Sequence, residues 1–209
     1  AVEAVDRLAS FGNEEAVASL APALSDESKA VRRAAAAALG RIAPKGDERI
    51  VEAVLARFRN FVAKPIPVPG LGAEIGEALS HLAGRRDERT IAVFLGAVED
   101  VHDFVRRTCV EVLGYIGSGD DESVVLALAE ATKDQLVEVA QAALVAMARV
   151  VSAGDERVIG AACDCLAHKD SWMRRSAAEA LGSVALWGNA RAVAALSARC
   201  TDDTDPEVV

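Results

Sequence analysis

A 34-residue period runs through most of this sequence. Three segments share one pattern, in which a Val or Met is followed by two arginines, a run of small residues and a closing Leu-Gly: residues 31–40, 105–114 and 173–182. The Leu or Met near the end of each copy serves as an anchor, and successive anchors lie 34 residues apart at Leu79, Leu113, Met147 and Leu181. A period of roughly 20 to 50 residues is typical of stacked repeat architectures.

A second phrase, Gly-Asp-Glu-Arg or a close variant, follows most anchors and marks a turn. Its copies lie at residues 12–17, 46–51, 87–91, 121–125, 154–159 and 188–193. A Gly can end one helix, and the following Asp or Asn can cap the next helix. Each repeat is therefore predicted to be a pair of antiparallel helices, which we call A and B in chain order.

The B helices show the periodicity of a buried helical face. Counted from the capping Asp or Asn, apolar residues recur at offsets +4, +7, +8 and +11, as in Val51, Val54, Leu55 and Phe58. One pair of helices cannot bury such a face alone, so the pairs must stack on one another. The sequence predicts an all-α fold, an α-solenoid of about six stacked helix pairs that forms a single array over residues 1–209.

The two alternating phrases resemble the HEAT-like repeats of the phycobilisome-lyase type, within the HEAT/armadillo superfamily. The resemblance covers essentially the whole chain. It implies a right-handed superhelix with the A helices on the convex side and the B helices lining a concave groove that grips other proteins. It implies no particular chemistry. The third and fifth pairs lack the paired arginines, so their A helices are expected to be less typical.

Composition excludes several classes of function. The chain has 23 Lys and Arg against 32 Asp and Glu, a net charge of −9, which disfavours nucleic acid as a partner. Its apolar runs are shorter than the ~20 residues of a membrane span, so no membrane association is expected. The four cysteines lie in helical patterns and not in a disulfide framework, which favours a cytoplasmic protein.

The groove face of the B helices supplies the candidate binding residues. Most positions there are small, with Val93 and Leu126 as predicted apolar contacts for a partner helix or strand. Four arginines recur at offset +2: Arg49, Arg89, Arg157 and Arg191. They are expected either to clamp an acidic partner or to brace neighbouring repeats through Asp47, Asp87 and Asp155.

The paired arginines of the A helices have a simpler interpretation than the arginines of the B-helix groove. Arg32, Arg106 and Arg174 recur at the same place in the anchor phrase, which is part of the repeat itself. We expect all three to brace the fold.

Residues 60–70 form the largest break in the repeat. Alternating prolines there favour an extended path that holds apolar side chains out between them. This loop is predicted either to dock a partner through Lys64, Ile66 and Val68 or to be a passive bulge.

One group of side chains has ligand-like spacing. Asp164, Cys165 and His168 are separated by steps of three and four, which would place them together on an exposed face of a B helix. The local sequence offers no fourth ligand, so no metal is expected, although Asp164 and His168 remain candidate groove contacts. His81 and His102 are expected on the surface, with Asp103 capping the helix after His102.

The two tryptophans have two possible roles. Trp172 and Trp187 are expected to be packing lids on the last pair, or interface anchors if they are exposed.

These features favour a non-enzymatic scaffold that needs no cofactor and binds a protein or peptide partner, possibly an acidic one. The chain has no phosphate-binding or nucleophile-elbow phrase and no His-Glu pair. One alternative is a bilin-lyase-like subunit whose arginines meet the propionates of a tetrapyrrole. Another is a self-assembling array that associates through ends such as Val208 and Val209, because neither end shows a polar capping repeat and the chain reads as part of a longer array.

Overall fold

The structure is a computed structural model that describes residues 10–24, 26–63, 78, 79, 81–83 and 86–202, together with residues 2 and 76. No described residue lies in a strand, so the all-α expectation is confirmed. Ten helices are described over their full length. They are α1 (Glu14–Ala23), α2 (Lys29–Ile42), α3 (Glu48–Val62), α4 (Glu88–Leu95), α5 (Asp103–Ile116), α6 (Glu122–Ala131), α7 (Val137–Val150), α8 (Glu156–Cys165), α9 (Ser171–Val184) and α10 (Ala190–Asp202).

Each B helix begins after the Asp or Asn that the repeat predicts. The Asn13 side chain accepts a hydrogen bond from the Ala16 amide at 2.9 Å, and Asp87 accepts from two amides of the first turn of α4. These bonds satisfy amides that have no partner within the helix. The same capping contact recurs at every B helix, at Asn13, Asp47, Asp87, Asp121, Asp155 and Asn189.

Backbone hydrogen bonds tie the A–B turns at Gly12, Gly46, Gly119 and Gly154 to the following A helix. The amide of Gly12 donates to the Ile42 carbonyl at 2.7 Å, and the amide of Gly154 donates to the Val184 carbonyl at 2.7 Å. Both glycines have positive φ, a conformation that costs a side-chain-bearing residue free energy. Arg86 adopts φ +66° at the corresponding place, before the cap of α4.

The first arginine of the anchor phrase braces the loop that precedes its helix, as expected. One guanidinium nitrogen of Arg32 donates to the carbonyls of Asp26 and Glu27, both at 3.1 Å. The equivalent arginines, Arg106 and Arg174, donate in the same way to the carbonyls five and six residues earlier. A loop between helices has no hydrogen-bond ladder, so the arginines supply donors to its backbone carbonyls.

The chain divides into two compact units, an N-terminal unit of Ala1–Val112 and a C-terminal unit of Leu113–Val209. In the N-terminal unit α1 packs against α2 and α3, and α3 packs against α4. The rings of Phe58 and Phe94 lie 4.4 Å apart in the core between α3 and α4. In the C-terminal unit α7 packs against α6 and α9, and α8 packs against α9 and α10. Each unit is thus a stack of helix pairs, the local arrangement of an α-solenoid.

The anchors that define the repeat lie in these cores. The predicted set is buried, with at most 1% exposure at Leu39, Leu79, Leu113, Met147 and Leu181. The first expected anchor, Leu8, lies outside the described residues.

Two local expectations are wrong. Helix α3 continues to Val62, so residues 60–62 belong to the helix and not to the predicted loop. Helix α5 begins at Asp103, which therefore lies in the first turn and does not precede the helix as a cap. The carboxylate of Asp100 binds there instead, accepting from the His102 amide at 2.9 Å.

The described residues include no helix that is both long and apolar enough to span a membrane.

Candidate functional site

Two clefts open between consecutive B helices of the N-terminal unit. The first, which we call the apolar cleft, lies between α1 and α3 and has a volume of about 250 Å³. Its walls are aliphatic, and charged groups stand only at the rim. The aliphatic lining is Val17, Ala18, Ala21, Ile50 and Ala53, and the rim is Glu14, Asp47 and Arg49.

The second cleft lies one repeat further along, between α3 and α4, with a volume of about 360 Å³. It opens over Val51 and Leu55, at the same offsets as Val17 and Ala21 in the apolar cleft. On the preceding helix the clefts differ at offset +5, where Ala18 lines the first cleft and Glu52 lines the second. On the following side, aliphatic residues of α3 line the first cleft, whereas charged residues at and just before the start of α4 line the second. We call the second the acidic cleft, because four carboxylates and two guanidinium groups line it: Glu48, Glu52, Asp87, Glu88, Arg86 and Arg89.

The predicted groove arginines of the N-terminal unit bind carboxylates of the preceding repeat. A guanidinium nitrogen of Arg49 lies 2.9 Å from Glu14 Oε1, which joins α3 to α1. Arg89 lies 3.6 Å from Glu48 and 3.8 Å from Glu52, which joins α4 to α3. The hydrogen bond to Glu14 raises the pKa of Arg49 above its ordinary value. Both arginines remain exposed, so these ion pairs contribute little to stability.

The arginines of the C-terminal unit are held differently. Arg157 donates to both oxygens of its own cap, Asp155, and to the Gly119 carbonyl of the preceding repeat at 3.1 Å. The Asp155 hydrogen bond raises the pKa of Arg157, and the Arg157 side chain lowers the pKa of Asp155. Arg191 lies against Gly160 of α8, where an added Cβ would be 3.3 Å from its guanidinium.

The inter-repeat partners are therefore not the aspartates that the sequence suggested. Asp47 and Asp155 contact the arginine of their own turn, whereas Glu14, Glu48 and Glu52 reach the arginine of the next turn. The signal was present in the phrase itself, since a Glu at offset +1 precedes the Arg. That Glu is exposed in five repeats, at Glu14, Glu48, Glu88, Glu122 and Glu156.

The apolar groove candidates lie in different units. Val93 is half-buried on α4, and Leu126 on α6 is 59% exposed. Leu126 is therefore available for contact within the C-terminal unit.

The ligand-like cluster is not on one helical face. Helix α8 ends at Cys165, so His168 lies beyond it in the turn, where its Nδ1 accepts a hydrogen bond from the Asp170 amide at 3.0 Å. Asp164 is exposed on the helix. Among the described residues, no group of three or more His, Cys, Asp or Glu side chains is arranged to hold a metal ion.

The thiols near this turn are poor nucleophiles. Burial raises the pKa of Cys165 to about 11, and burial also raises the pKa of Cys163. The guanidinium of Arg191 favours the Cys163 thiolate but does not reverse that shift. Both thiols are protonated near neutral pH.

The predicted packing role of the tryptophans is wrong. Trp172 is 62% exposed at the start of α9, and Trp187 is fully exposed in the turn after it. The length of α9 separates them, so they do not form one apolar patch.

Several candidates lie outside the described residues. These are the loop residues Lys64, Ile66 and Val68 and the chain-end residues Val208 and Val209.

Comparison with known proteins agrees with this geometry. A family model described as HEAT repeats matches residues 1–62 and 125–209. The chain belongs to the HEAT repeat family. No curated protein matches this member of the family.

Solved structures share the fold at low sequence identity. This HEAT repeat chain is 16% identical to an archaeal HEAT-like repeats protein from Thermococcus onnurineus NA1, with a TM-score of 0.56 over 99% of this chain and 87% of that chain. An engineered protein is 22% identical, with a TM-score of 0.53 and coverage of 92% and 91%. A designed armadillo repeat protein, solved in complex with the peptide (KR)4, is 17% identical, with a TM-score of 0.51 and coverage of 88% and 91%.

Proposed function

We propose that this HEAT repeat chain is a non-enzymatic scaffold that binds a protein or peptide segment on the B-helix surface of its N-terminal unit. The observation that carries the proposal is the apolar cleft. Its aliphatic lining lies open between α1 and α3 because the exposed position at its centre is Ala18, which is too small to cover it. An open apolar cleft with a charged rim suits an aliphatic side chain of a partner.

The family supports a binding role. Stacked repeats present extended surfaces that are used for recognition. The designed armadillo repeat protein of similar fold was solved in complex with a peptide, which is consistent with peptide binding by a chain of this fold.

The arginine contacts weigh against the acidic partner that the sequence suggested. Arg49 and Arg89 already bind carboxylates of the preceding repeat, and an acidic partner would have to compete with those carboxylates. Bracing between repeats is the role that these contacts support.

The proposal is tested by selection from a random displayed-peptide library against the purified chain. The Ala18→Trp variant fills the apolar cleft from an exposed position and is expected to lose the selected peptides. Ala194→Trp is the matched control, because Ala194 is exposed at the same offset on α10, and it is expected to retain them. Equal binding by both variants, with unchanged circular dichroism, would contradict a site in the apolar cleft.

The resemblance to phycobilisome-lyase repeats gives a second candidate, a subunit that holds a tetrapyrrole. The observation that favours it is the exposure of Arg49 and Arg89, whose side chains are 74% and 64% exposed, although a propionate would have to compete there with the carboxylates of the preceding repeat. Titration with a free bilin separates the candidates. A shift in visible absorbance that is lost in an Arg49→Ala, Arg89→Ala double variant supports tetrapyrrole binding, and an unchanged spectrum removes it.

A further inference from the structure

We propose that the segment bound by the N-terminal unit carries an aliphatic side chain and, three residues away, a Lys or Arg. The aliphatic side chain occupies the apolar cleft and the basic side chain occupies the acidic cleft. This inference rests on the proposed function and specifies the chemistry of the partner at the same surface.

The spacing follows from the repeat. The two clefts flank α3, and in each of them the preceding helix contributes residues at offsets +1, +4, +5 and +8. We therefore place the clefts about one helix-packing distance apart. Packed helices are about 8 to 10 Å apart. A segment in the polyproline II conformation has three residues per turn and advances about 3.1 Å per residue, so side chains three residues apart lie on one face, roughly 9 Å from each other. Residues i and i+3 of such a segment therefore reach both clefts.

The charge of each cleft sets the preference. At the rim of the apolar cleft the Arg49 guanidinium is neutralised by Glu14 at 2.9 Å, which leaves the aliphatic walls for an uncharged side chain. Four carboxylates and two guanidinium groups line the acidic cleft, and one of the carboxylates, Glu52, also lies 2.6 Å from the guanidinium of Arg59. With Arg59 counted, the cleft keeps an excess of one negative charge. Glu88 is exposed there at the first turn of α4, where a partner cation can approach it.

An acidic residue at the same place meets the opposite situation. It would approach Glu48 and Glu52 closely in order to reach Arg89, which already lies 3.6 and 3.8 Å from those two carboxylates. The net charge of −9 on the whole chain opposes its approach as well. The acidic cleft therefore discriminates between partners by the sign of one side chain.

Fluorescence anisotropy with labelled peptides tests the proposal. The probes are Gly/Ser-based peptides with Leu and Arg three residues apart, made in both orders, alongside versions with Leu→Ala or Arg→Glu. At low salt the Leu/Arg peptide is expected to bind, and either replacement is expected to weaken binding by about 10-fold or more. Adding salt should weaken the binding of the Leu/Arg peptide but preserve the difference in affinity between the peptides with Leu and with Ala.

Protein variants locate the contact. Glu88→Gln removes a carboxylate of the acidic cleft and is expected to lower the affinity for the Leu/Arg peptide by about 3- to 10-fold. Glu122→Gln is the matched control, since Glu122 is exposed at the same offset in the C-terminal unit, and it should have no effect.

The outcomes separate this inference from the proposed function. One outcome is that the Arg→Glu peptide binds more tightly than the Leu/Arg peptide and that this binding is lost in Ala18→Trp. This outcome overturns the preference for a basic residue and keeps the scaffold role. Failure of the Leu/Arg peptide, or an unchanged affinity in Glu88→Gln, also overturns the inference. The site assigned to the scaffold fails if library peptides bind Ala18→Trp and the unmodified chain equally, and the scaffold role itself fails if the library yields no binding peptide.

Discussion

Single residues in the A–B turns set the register of this repeat protein. Gly154 has φ +86°, and an added Cβ would lie 2.8 Å from Leu186 Cδ1. We predict that Gly154→Ala lowers the free energy of unfolding by about 1 to 2 kcal/mol, because Ala is strained at this φ and crowds Leu186. Urea denaturation monitored by circular dichroism measures the change.

Gly182 provides the control for this substitution. It lies within α9, and nothing is within 4 Å of the position that its Cβ would occupy. Gly182→Ala should stabilise the protein by up to about 1 kcal/mol through helix propensity. Two variants of equal stability would remove the strain argument.

At the scale of the element, the anchor of an A helix fixes its packing. Leu113 on α5 is fully buried. We predict that Leu113→Ala costs about 2 to 5 kcal/mol, because it leaves a cavity between helices. The same change at Leu126, which is 59% exposed, should cost less than about 0.5 kcal/mol. Thermal and urea unfolding of the two variants give the comparison, and similar costs would contradict the assigned burial.

The cap of α8 gives that helix a pH-dependent contribution. The hydrogen bond from Arg157 holds the pKa of Asp155 below its ordinary value of 3.8. The ionised carboxylate therefore stabilises the folded state at neutral pH, and this contribution is lost as pH falls through the folded-state pKa. We predict that Asp155→Asn lowers Tm at neutral pH and that the deficit shrinks on acidification toward about pH 3. A deficit that does not depend on pH would show that Asp155 acts only through its amide contacts.

At the scale of the whole molecule, stability should be distributed between the two compact units. Leu39 lies in the core of the N-terminal unit and Leu181 in that of the C-terminal unit, and contacts in stacked repeats are made mainly between neighbours. We predict that Leu39→Ala and Leu181→Ala each reduce amide-exchange protection mainly within their own unit. Hydrogen exchange with mass spectrometry measures this, and a uniform loss along the chain would contradict it.

The sequence predicted the parts of the fold that depend on local spacing. Caps such as Asp87 and anchors such as Leu113 recur with the period, and their roles need only a helix and its nearest neighbour. The partner of Arg89 could not be chosen from sequence, because an Asp and a Glu precede it in its own turn and also in the turn of the preceding repeat. The distance between stacked helices decides which carboxylate it meets. The spacing of His168 was misleading, because helical neighbours at three and four residues exist only while the helix continues, and α8 ends at Cys165.

The candidate site was predicted in part. The groove arginines and the small residues at the B-helix surface are recognisable from their offsets, whereas the role of the recurring Glu depends on distances between repeats that the turn phrase does not contain. The contrast between the clefts depends in part on Ala18 and Glu52, which occupy one offset in consecutive repeats, and in part on the charged residues at the start of α4. Sequence alone gives no volume to the space beside them, so the two clefts emerge only when the helices are packed.

The solvent exposure of Trp187 affects how this protein can be observed. It and Trp172 are the chain's two indoles, and both already face water in the folded state. Intrinsic emission should therefore shift little when the chain denatures, which makes it a poor gauge of unfolding. Trp187 would respond by a blue shift to any molecule that covers the α9–α10 turn, so the chain has a built-in optical reporter of occupancy at that turn.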